Sequence, residues 1–322
     1  MMAARWRGPM IFQRLFSTVR PSLSHEVASE FLSRSQQRGP LVREQLLDAN
    51  QLQRLAQTLG RRELLRGIPV AGSAPANGTV LPPGYHLVYF TPSAFEPELG
   101  RDGSDRTFNP PPPFTRRMWA GGEMVWSRDN LLRVGEVVTE TTTVAKAEPK
   151  RTRDGTDMIV VGVEKRFENG SGTALVDKRD WVFRPALTEP PALTPRGEAK
   201  PFPTGEHTRV FEQTPVSLFR FSALTFNGHK IHYSKEWCRE AEGHRDIVVH
   251  GPLNLINSLD LWRDSRGPAR SEFPKSVKYR ATSPVYVGEP YSAVLEGADA
   301  ADAVVKLWTE DGRMAFQATI TS

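Results

Sequence analysis

The spacing of apolar positions predicts two main helices. Leucines recur at helical intervals through residues 41–60, and Gly60 is suited to ending a helix there. Apolar residues recur in the same way through residues 252–263, directly after His250-Gly251-Pro252. Proline is favoured at the first helical position, because its missing N–H needs no partner there. The pattern therefore predicts a helix at 41–60 and a buried helix at 252–263.

The remaining apolar segments have β character. Val134, Glu136, Val138 and Glu140 alternate, as they do in a half-buried antiparallel strand. The predicted strands are 86–90, 117–126, 132–147, 158–168 and 174–184 in the first half and 275–283, 285–296, 303–309 and 314–321 in the second. Each half places a helix before antiparallel strands, which favours two copies of one α+β unit.

Two further signals support this division. The short sequences VGEVV at 134–138 and VGEPY at 287–291 fall at similar points in the two halves. Residues 185–205 contain six prolines, which is typical of a linker. We therefore predict an N-terminal unit at 40–187, a proline-rich linker at 188–206 and a C-terminal unit at 207–322.

The first 25 residues have the composition of a mitochondrial transit peptide. They carry four arginines and several hydroxyl side chains, and the first acidic residue is Glu26. The formal net charge falls from +5 to +1 when these arginines are excluded, so the basic charge of the chain gives little support to nucleic-acid binding. We expect a mitochondrial matrix protein with no nucleic-acid partner.

Composition narrows the class of protein further. Hydrophobic residues make up 39% and charged residues 25% of the chain, which is typical of a globular domain. No apolar run is long enough to predict a membrane-spanning helix, so we expect no membrane partner. Cys238 is the only cysteine, which excludes an intramolecular disulfide and fits a reducing compartment.

Candidate chemistry is concentrated in residues 221–252. Asn227, His229, His232 and His250 lie near the predicted start of the buried helix, where Gly251 lets a ligand approach the backbone. The free amides at a helix start carry partial positive charge and can bind a developing oxyanion. An imidazole beside them can act as a base near neutral pH. The segment thus predicts removal of a proton next to a carbonyl group.

A metal site is the alternative interpretation of these histidines. The spacing His229-x-x-His232 lacks the glutamate of H-E-x-x-H, and no cysteine pair or suitably spaced acid accompanies it. We therefore expect no metal and no organic cofactor.

The same segment resembles the MaoC-like hotdog dehydratases and hydratases, and most closely the fungal mitochondrial hydroxyacyl-thioester dehydratase type 2 proteins, with mesaconyl-CoA hydratase-like proteins near them. The matching positions are Phe221, Leu224, Thr225, Asn227, Ile231, His232 and the pair His250-Gly251. The resemblance extends over roughly residues 40–322. It implies a double hotdog of class α+β, with two units that each wrap an antiparallel sheet around a central helix. The N-terminal unit is expected to be non-catalytic.

The resemblance also implies the reaction and the roles in it. A (3R)-3-hydroxyacyl thioester would lose water to give the trans-2-enoyl thioester, with His232 and Asn227 as catalytic residues. Gly251 would bind the thioester carbonyl, His250 would orient the helix start, and His229 would line the entrance. Asn227 stands where the family has an aspartate, and an amide cannot act as a base, so His232 is expected to move the proton.

Three functional interpretations stay open from the sequence. The first is dehydration in mitochondrial type II fatty-acid synthesis, with the acyl group on acyl carrier protein. The second is hydration of small CoA esters, and the third is a non-enzymatic acyl-binding or organellar role. Because one chain can complete the paired sheet by itself, either a monomer or a homodimer is compatible with the sequence.

Overall fold

The computed structural model describes residues 22–70, 72–152, 155–189 and 192–322. Positions 1–21 of the predicted transit peptide lie outside this range. The last residues of that segment begin helix α1 (Leu23–Arg38), which packs on the longest strand of the sheet. The sequence analysis did not predict this helix.

The N-terminal half contributes five strands of the main sheet. Its elements are β1 (Leu41–Leu46), α2 (Ala49–Thr58), the small pair β2 (Glu63–Leu65) and β3 (Ile68–Pro69), 3₁₀ turns at Tyr85–Val88 and Glu96–Glu98, β4 (Arg116–Trp126), β5 (Val137–Arg151), β6 (Asp157–Asn169) and β7 (Gly172–Arg184).

The C-terminal half contributes the other five. Its elements are β8 (His207–Phe211), α3 (Pro215–Leu224), a 3₁₀ turn at Lys230–His232, α4 (Lys235–Trp237), a π-helical turn at Cys238–Glu242, α5 (Gly251–Asp264), β9 (Ser276–Ala281), β10 (Tyr291–Glu296), β11 (Asp302–Thr309) and β12 (Met314–Thr321).

Ten of the twelve strands in the described part of the chain form one antiparallel sheet, and β2 and β3 pair separately. From its two outer edges inward, the strands run β1-β5-β6-β7-β4 in one half and β8-β10-β11-β12-β9 in the other. The halves meet where β4 pairs with β9, through Gly121–Val125 and Ser276–Arg280. The two units thus share one strand order, and this confirms the predicted double hotdog.

Equivalent turns also relate the two halves. The turn before β5 contains Gly135 (φ 86°) and the turn before β10 contains Gly288 (φ 69°). The Gly135 N–H donates to the Leu47 carbonyl after β1, and the Gly288 N–H donates to the Gln213 carbonyl after β8. The repeated VGE sequence therefore marks one structural turn that occurs twice.

The central elements of the two units differ in length. Helix α5 is buried along nearly its whole length against the C-terminal strands. The corresponding place in the N-terminal order of elements holds only the 3₁₀ turn Tyr85–Val88. The expected central helix of the N-terminal unit is thus reduced to a single turn. Residues 86–90, expected as a strand, belong to this turn and the bend after it.

The predicted helix at 41–60 is wrong in its first part. Residues Leu41–Leu46 form the edge strand β1, paired with β5, and helix α2 begins after them. Asp48 caps that helix, because its carboxylate accepts the Gln51 N–H at 2.9 Å. Local leucine spacing cannot report the strand, since β1 depends on pairing with a distant segment.

The other predicted elements are present with small shifts at their ends. Strand β5 begins at Val137 and not at 132, and β10 begins at Tyr291 and not at 285. The proline-rich linker runs between β7 and β8 and lies against the C-terminal half, where the Thr194 N–H donates to the Gly243 carbonyl. The unit boundaries at 187 and 207 stay predictions.

Candidate active site

A cavity of about 1220 Å³ lies between the two halves and contains the predicted chemical segment. All five predicted site residues line it: Asn227, His229, His232, His250 and Gly251. Trp119 from β4 of the N-terminal half lines the cavity beside Gly251. Sequence reasoning therefore identified the part of the lining from residues 227–251, and the N-terminal half, expected to be non-catalytic, also contributes to the lining.

His232 lies at the end of a 3₁₀ turn and is buried. Its Nδ1 lies 2.8 Å from the carbonyl oxygen of Val248. A carbonyl can only accept a hydrogen bond, so Nδ1 carries the proton and donates it. In the neutral ring this leaves the lone pair on Nε2 free to accept a proton.

The environment keeps this imidazole neutral at physiological pH. Burial lowers the pKa of His232 to about 4, against the opposing effect of the hydrogen bond to Val248. The positive charge of Arg117 and the neighbouring His244 lower this pKa further. Burial also places the pKa values of His229 and His250 well below the usual histidine value. At neutral pH all three rings are uncharged, and His232 is in its basic form.

His250 stacks on His232, with ring centroids 3.6 Å apart and planes 18° apart. Its Nε2 lies 2.9 Å from the Ser222 Oγ on α3, so the ring connects that helix to the start of α5. Its Nδ1 is buried and meets no hydrogen-bond partner in the described part of the chain. His250 therefore connects α3 to the start of α5 and leaves one buried ring nitrogen unpaired among the described residues.

The start of α5 can bind an oxyanion. The first N–H groups of a helix have no partners within it and carry partial positive charge. Gly251 is the first residue of α5, and a Cβ placed on it would lie 2.3 Å from Cε3 of Trp119. Only glycine allows the indole to pack here. Trp119 also stacks on Tyr279 of β9, so it packs between the two halves.

Asn227 has a structural role in the loop after α3. Its Oδ1 accepts the backbone N–H of His229 at 3.1 Å, and its own N–H donates to the Ser222 carbonyl. The preceding Phe226 has a positive φ of 48°, which a bulky residue rarely adopts. Asn227 thus fixes the turn that carries His229 and His232. Its amide nitrogen is the polar group that stays available to a ligand.

Asp102 supports the site through His229, and sequence reasoning missed it. Its Oδ2 lies 3.3 Å from Nε2 of His229, and both side chains are largely buried. The Asp102 carbonyl accepts the Lys230 N–H at 2.7 Å, which joins this N-terminal loop to the histidine segment. The loop has no periodic pattern and lies far from the histidines in sequence, so no local signal pointed to it.

His244 also lies on the cavity wall. Its Nδ1 is 3.2 Å from the Tyr286 hydroxyl, and burial lowers its pKa to about 4.

In the part of the chain that the structure describes, no group of three or more His, Cys, Asp and Glu side chains is placed to share a metal ion. The same residues include no helix long and apolar enough to cross a bilayer.

Comparison with known proteins shows a family match over residues 84–287, to the model described as hydroxyacyl-thioester dehydratase type 2. The mesaconyl-C(4)-CoA hydratase of Chloroflexus aurantiacus is 34% identical over 211 residues, covering 65% of this chain and 72% of that protein. The mitochondrial hydroxyacyl-thioester dehydratase type 2 of Schizosaccharomyces pombe is 28% identical over 236 residues, covering 66% and 76%.

A solved MaoC-like dehydratase from Phytophthora capsici has the same fold. It superposes with a TM-score of 0.65 at 14% identity, over 91% of this chain and 98% of that one.

Proposed function

The chain belongs to the hydroxyacyl-thioester dehydratase type 2 family, whose members are hydro-lyases, and we propose that it reversibly dehydrates (3R)-3-hydroxyacyl thioesters to trans-2-enoyl thioesters. One observation supports this most strongly. The neutral His232, with Nε2 free, lines the same cavity as Gly251 at the start of α5. The non-enzymatic interpretation is set aside, because the relatives are named as dehydratases and hydratases.

The first step removes a proton from C2 of the substrate. The thioester oxygen accepts a hydrogen bond from the Gly251 N–H, and this polarisation makes the neighbouring C–H more acidic. Nε2 of His232 accepts that proton, and the electron pair of the C–H bond moves into the enolate. The Val248 carbonyl stabilises the imidazolium through its bond to Nδ1.

The second step removes the hydroxyl group. The enolate electrons form the C2–C3 double bond as the C3–O bond breaks, and the imidazolium of His232 gives its proton to the departing oxygen. The products are the enoyl thioester and water, and His232 returns to its neutral form. The amide nitrogen of Asn227 donates to that oxygen, because Oδ1 is already bonded to the backbone.

His229 and Asp102 act beside these groups. Oδ2 of Asp102 faces Nε2 of the neutral His229 at 3.3 Å, and this contact favours one orientation of the ring. His229 packs edge-on to His232 with centroids 5.6 Å apart, and it limits how far the reacting ring can rotate. Asp102 is therefore a positioning residue in this scheme.

The His232→Gln variant tests the mechanism. Loss of the base should lower kcat for hydration of crotonyl-CoA by about 100-fold or more and change KM little. His207→Gln is the matched control, since His207 lies on the edge strand β8 and does not line the cavity. A rate for His232→Gln close to that of wild type, with the fold verified by circular dichroism, would refute the role of this residue.

The biological setting that we propose is fatty-acid synthesis in the mitochondrial matrix, with acyl carrier protein as the carrier. Two yeast relatives are named as mitochondrial, and the N-terminal composition agrees with import. The relative named mesaconyl-C(4)-CoA hydratase supports the second candidate, hydration of small CoA esters. The ratio of kcat/KM for a decenoyl group on acyl carrier protein to that for crotonyl-CoA distinguishes the two.

A further inference from the structure

The inner face of the N-terminal sheet carries a buried ionic cluster. Arg43 on β1 and Lys165 on β6 both contact Glu140 on β5, with N–O distances of 2.7 and 3.1 Å. Arg179 on β7 contacts Asp177 of the same strand at 2.6 Å. Charged side chains are rarely buried without a reason, because removal from water costs several kcal/mol per ion.

This cluster opens into the same cavity as the histidines. Arg43, Glu140, Lys165 and Arg179 all line the cavity that contains His232 and Gly251. The space exists where the central helix of the N-terminal unit is reduced to the turn Tyr85–Val88. A ligand whose reacting end lies at His232 therefore has room to extend toward these cations.

The cluster contains more positive than negative groups. Glu140 is shared between Arg43 and Lys165, and Asp177 is shared between Arg179 and His86. Burial lowers the pKa of His86, so this ring is neutral at physiological pH. Three cations thus face two carboxylates. Burial and repulsion from Arg179 lower the pKa of Lys165 to about 8, against the attraction of Glu140. An additional anion would balance this charge.

The surroundings of the cluster resemble a binding site more than a packed core. Phe90 lines the cavity with a positive φ of 52°, and its carbonyl accepts from Nη2 of Arg43 at 2.6 Å. Backbone strain of this kind is concentrated at ligand sites. Phe108 and Trp181 stack with centroids 5.9 Å apart, and they line the cavity beside the cluster, where they offer apolar surface to methylene groups.

We propose that the substrate carries a carboxylate at the far end of its acyl chain, and that Lys165 and Arg43 bind it. This inference rests on the proposed function, since it assumes that an enoyl or hydroxyacyl thioester occupies the cavity. The substrates are then thioesters of dicarboxylic acids and not the methyl-ended chains of fatty-acid synthesis, so this inference keeps the dehydration at His232 and replaces the proposed setting. The N-terminal half determines which acyl chains are accepted.

A phosphate of the carrier arm would suit the same cations. That phosphate must lie toward solvent, because the arm leads to CoA or to a carrier protein outside the cavity. Lys165 and Glu140 are only 5% and 1% exposed. Their depth therefore favours the acyl end over the carrier end.

Paired substrates test the proposal. Hydration is measured with trans-2-enoyl-CoA chains from crotonyl to decenoyl, and with the same chains in which the terminal methyl group is replaced by a carboxylate. At the chain length that reaches the cluster, the carboxylate should raise kcat/KM by about tenfold or more, as expected for a charge-assisted hydrogen bond. This preference should be lost in Lys165→Met and kept in Lys165→Arg. Lys178→Met is the matched control, since Lys178 is exposed on β7.

Each contrary result has a distinct meaning. If the uncharged chains react as fast as the carboxylated ones at every length, the proposal is wrong and the dehydratase function stands. If neither series reacts on CoA, both series are assayed on acyl carrier protein, and no reaction there either would show that both proposals are wrong. If Lys165→Met slows CoA thioesters of both series but not pantetheine thioesters, which lack the phosphate, the cluster binds the carrier. The comparison of the two substrate series on the wild-type protein tests the proposal even if Lys165→Met does not fold.

Discussion

At the scale of single residues, burial determines the protonation states of the site. A solvent-exposed histidine would be partly charged near neutral pH, whereas His232 is held neutral because burial lowers its pKa to about 4. The Val248 carbonyl fixes the proton on Nδ1 and so directs the lone pair of Nε2. The sequence predicted His232 as a candidate but not its tautomer. The tautomer depends on the backbone carbonyl of Val248, and residue types do not encode that contact.

Asp102 was not predicted for a similar reason, because its position depends on contacts between distant parts of the chain. The histidines and Gly251 lie within one stretch of sequence, and their spacing together with a family likeness was enough to find them. Asp102 reaches His229 from a loop of the other half, through backbone contacts that residue types do not encode. Sequence reasoning finds site residues that form a local pattern and misses those brought in by tertiary contacts.

Gly251→Ala tests the helix start at this scale. A Cβ at this position would lie 2.3 Å from the Trp119 ring, so either the indole or the helix start must move. Because the proposed oxyanion contact uses the same backbone, kcat for hydration should fall by about 100-fold, as for loss of one oxyanion donor. Gly267→Ala is the control, since nothing lies closer than 3.9 Å to its added Cβ. Unchanged kcat in Gly251→Ala would contradict the assigned role.

At the scale of elements, the histidine segment at 227–232 depends on a loop from the other half. Gly103 and Gly228 approach each other through their backbones, and a Cβ on Gly103 would lie 2.2 Å from the Gly228 carbonyl oxygen. The Lys230 N–H donates to the Asp102 carbonyl across the same contact. Two loops without regular structure are thus joined closely enough to position His229. Apolar periodicity carries no information about such a contact.

Gly103→Ala tests this loop contact. The added Cβ cannot fit against Gly228, and φ is +75° at this position, so the loops must separate and Asp102 must move away from His229. We expect kcat/KM to fall by about tenfold or more, in the range seen when a supporting group is removed. Hydrogen exchange at the Lys230 amide should become faster. Gly170→Ala, where an added Cβ meets nothing within 4 Å, should change neither measurement. Unchanged exchange at Lys230 would show that the contact is not required.

At the scale of the whole molecule, one continuous sheet combines two units with the same strand order. The order of helices and strands, with the family likeness, predicted the double hotdog, because each half repeats one plan. The strand order and the edge strand β1 were not predictable, since they depend on pairing between distant segments. The sequence also did not predict that the central helix of the N-terminal unit is reduced to the turn Tyr85–Val88. This reduction leaves room for the cavity.

The stability of the whole molecule should depend steeply on pH between about 4 and about 6.5, because several histidines are buried as neutral rings. The folded pKa is lowered by burial in His86, His229, His232, His244 and His250. In this window the unfolded chain binds protons that the folded chain does not. The contribution of these rings to the free energy of unfolding is therefore fully present above the histidine pKa of the unfolded chain. It falls as the pH decreases, by up to about 1.4 kcal/mol per pH unit for each ring. Carboxylates such as Glu140, whose pKa is lowered mainly by Lys165 and Arg43 against the effect of burial, lose their contribution only at lower pH. Urea unfolding at a series of pH values measures the effect, and a midpoint that stays constant from about pH 7 to about pH 5 would show that these rings are not neutral and buried together.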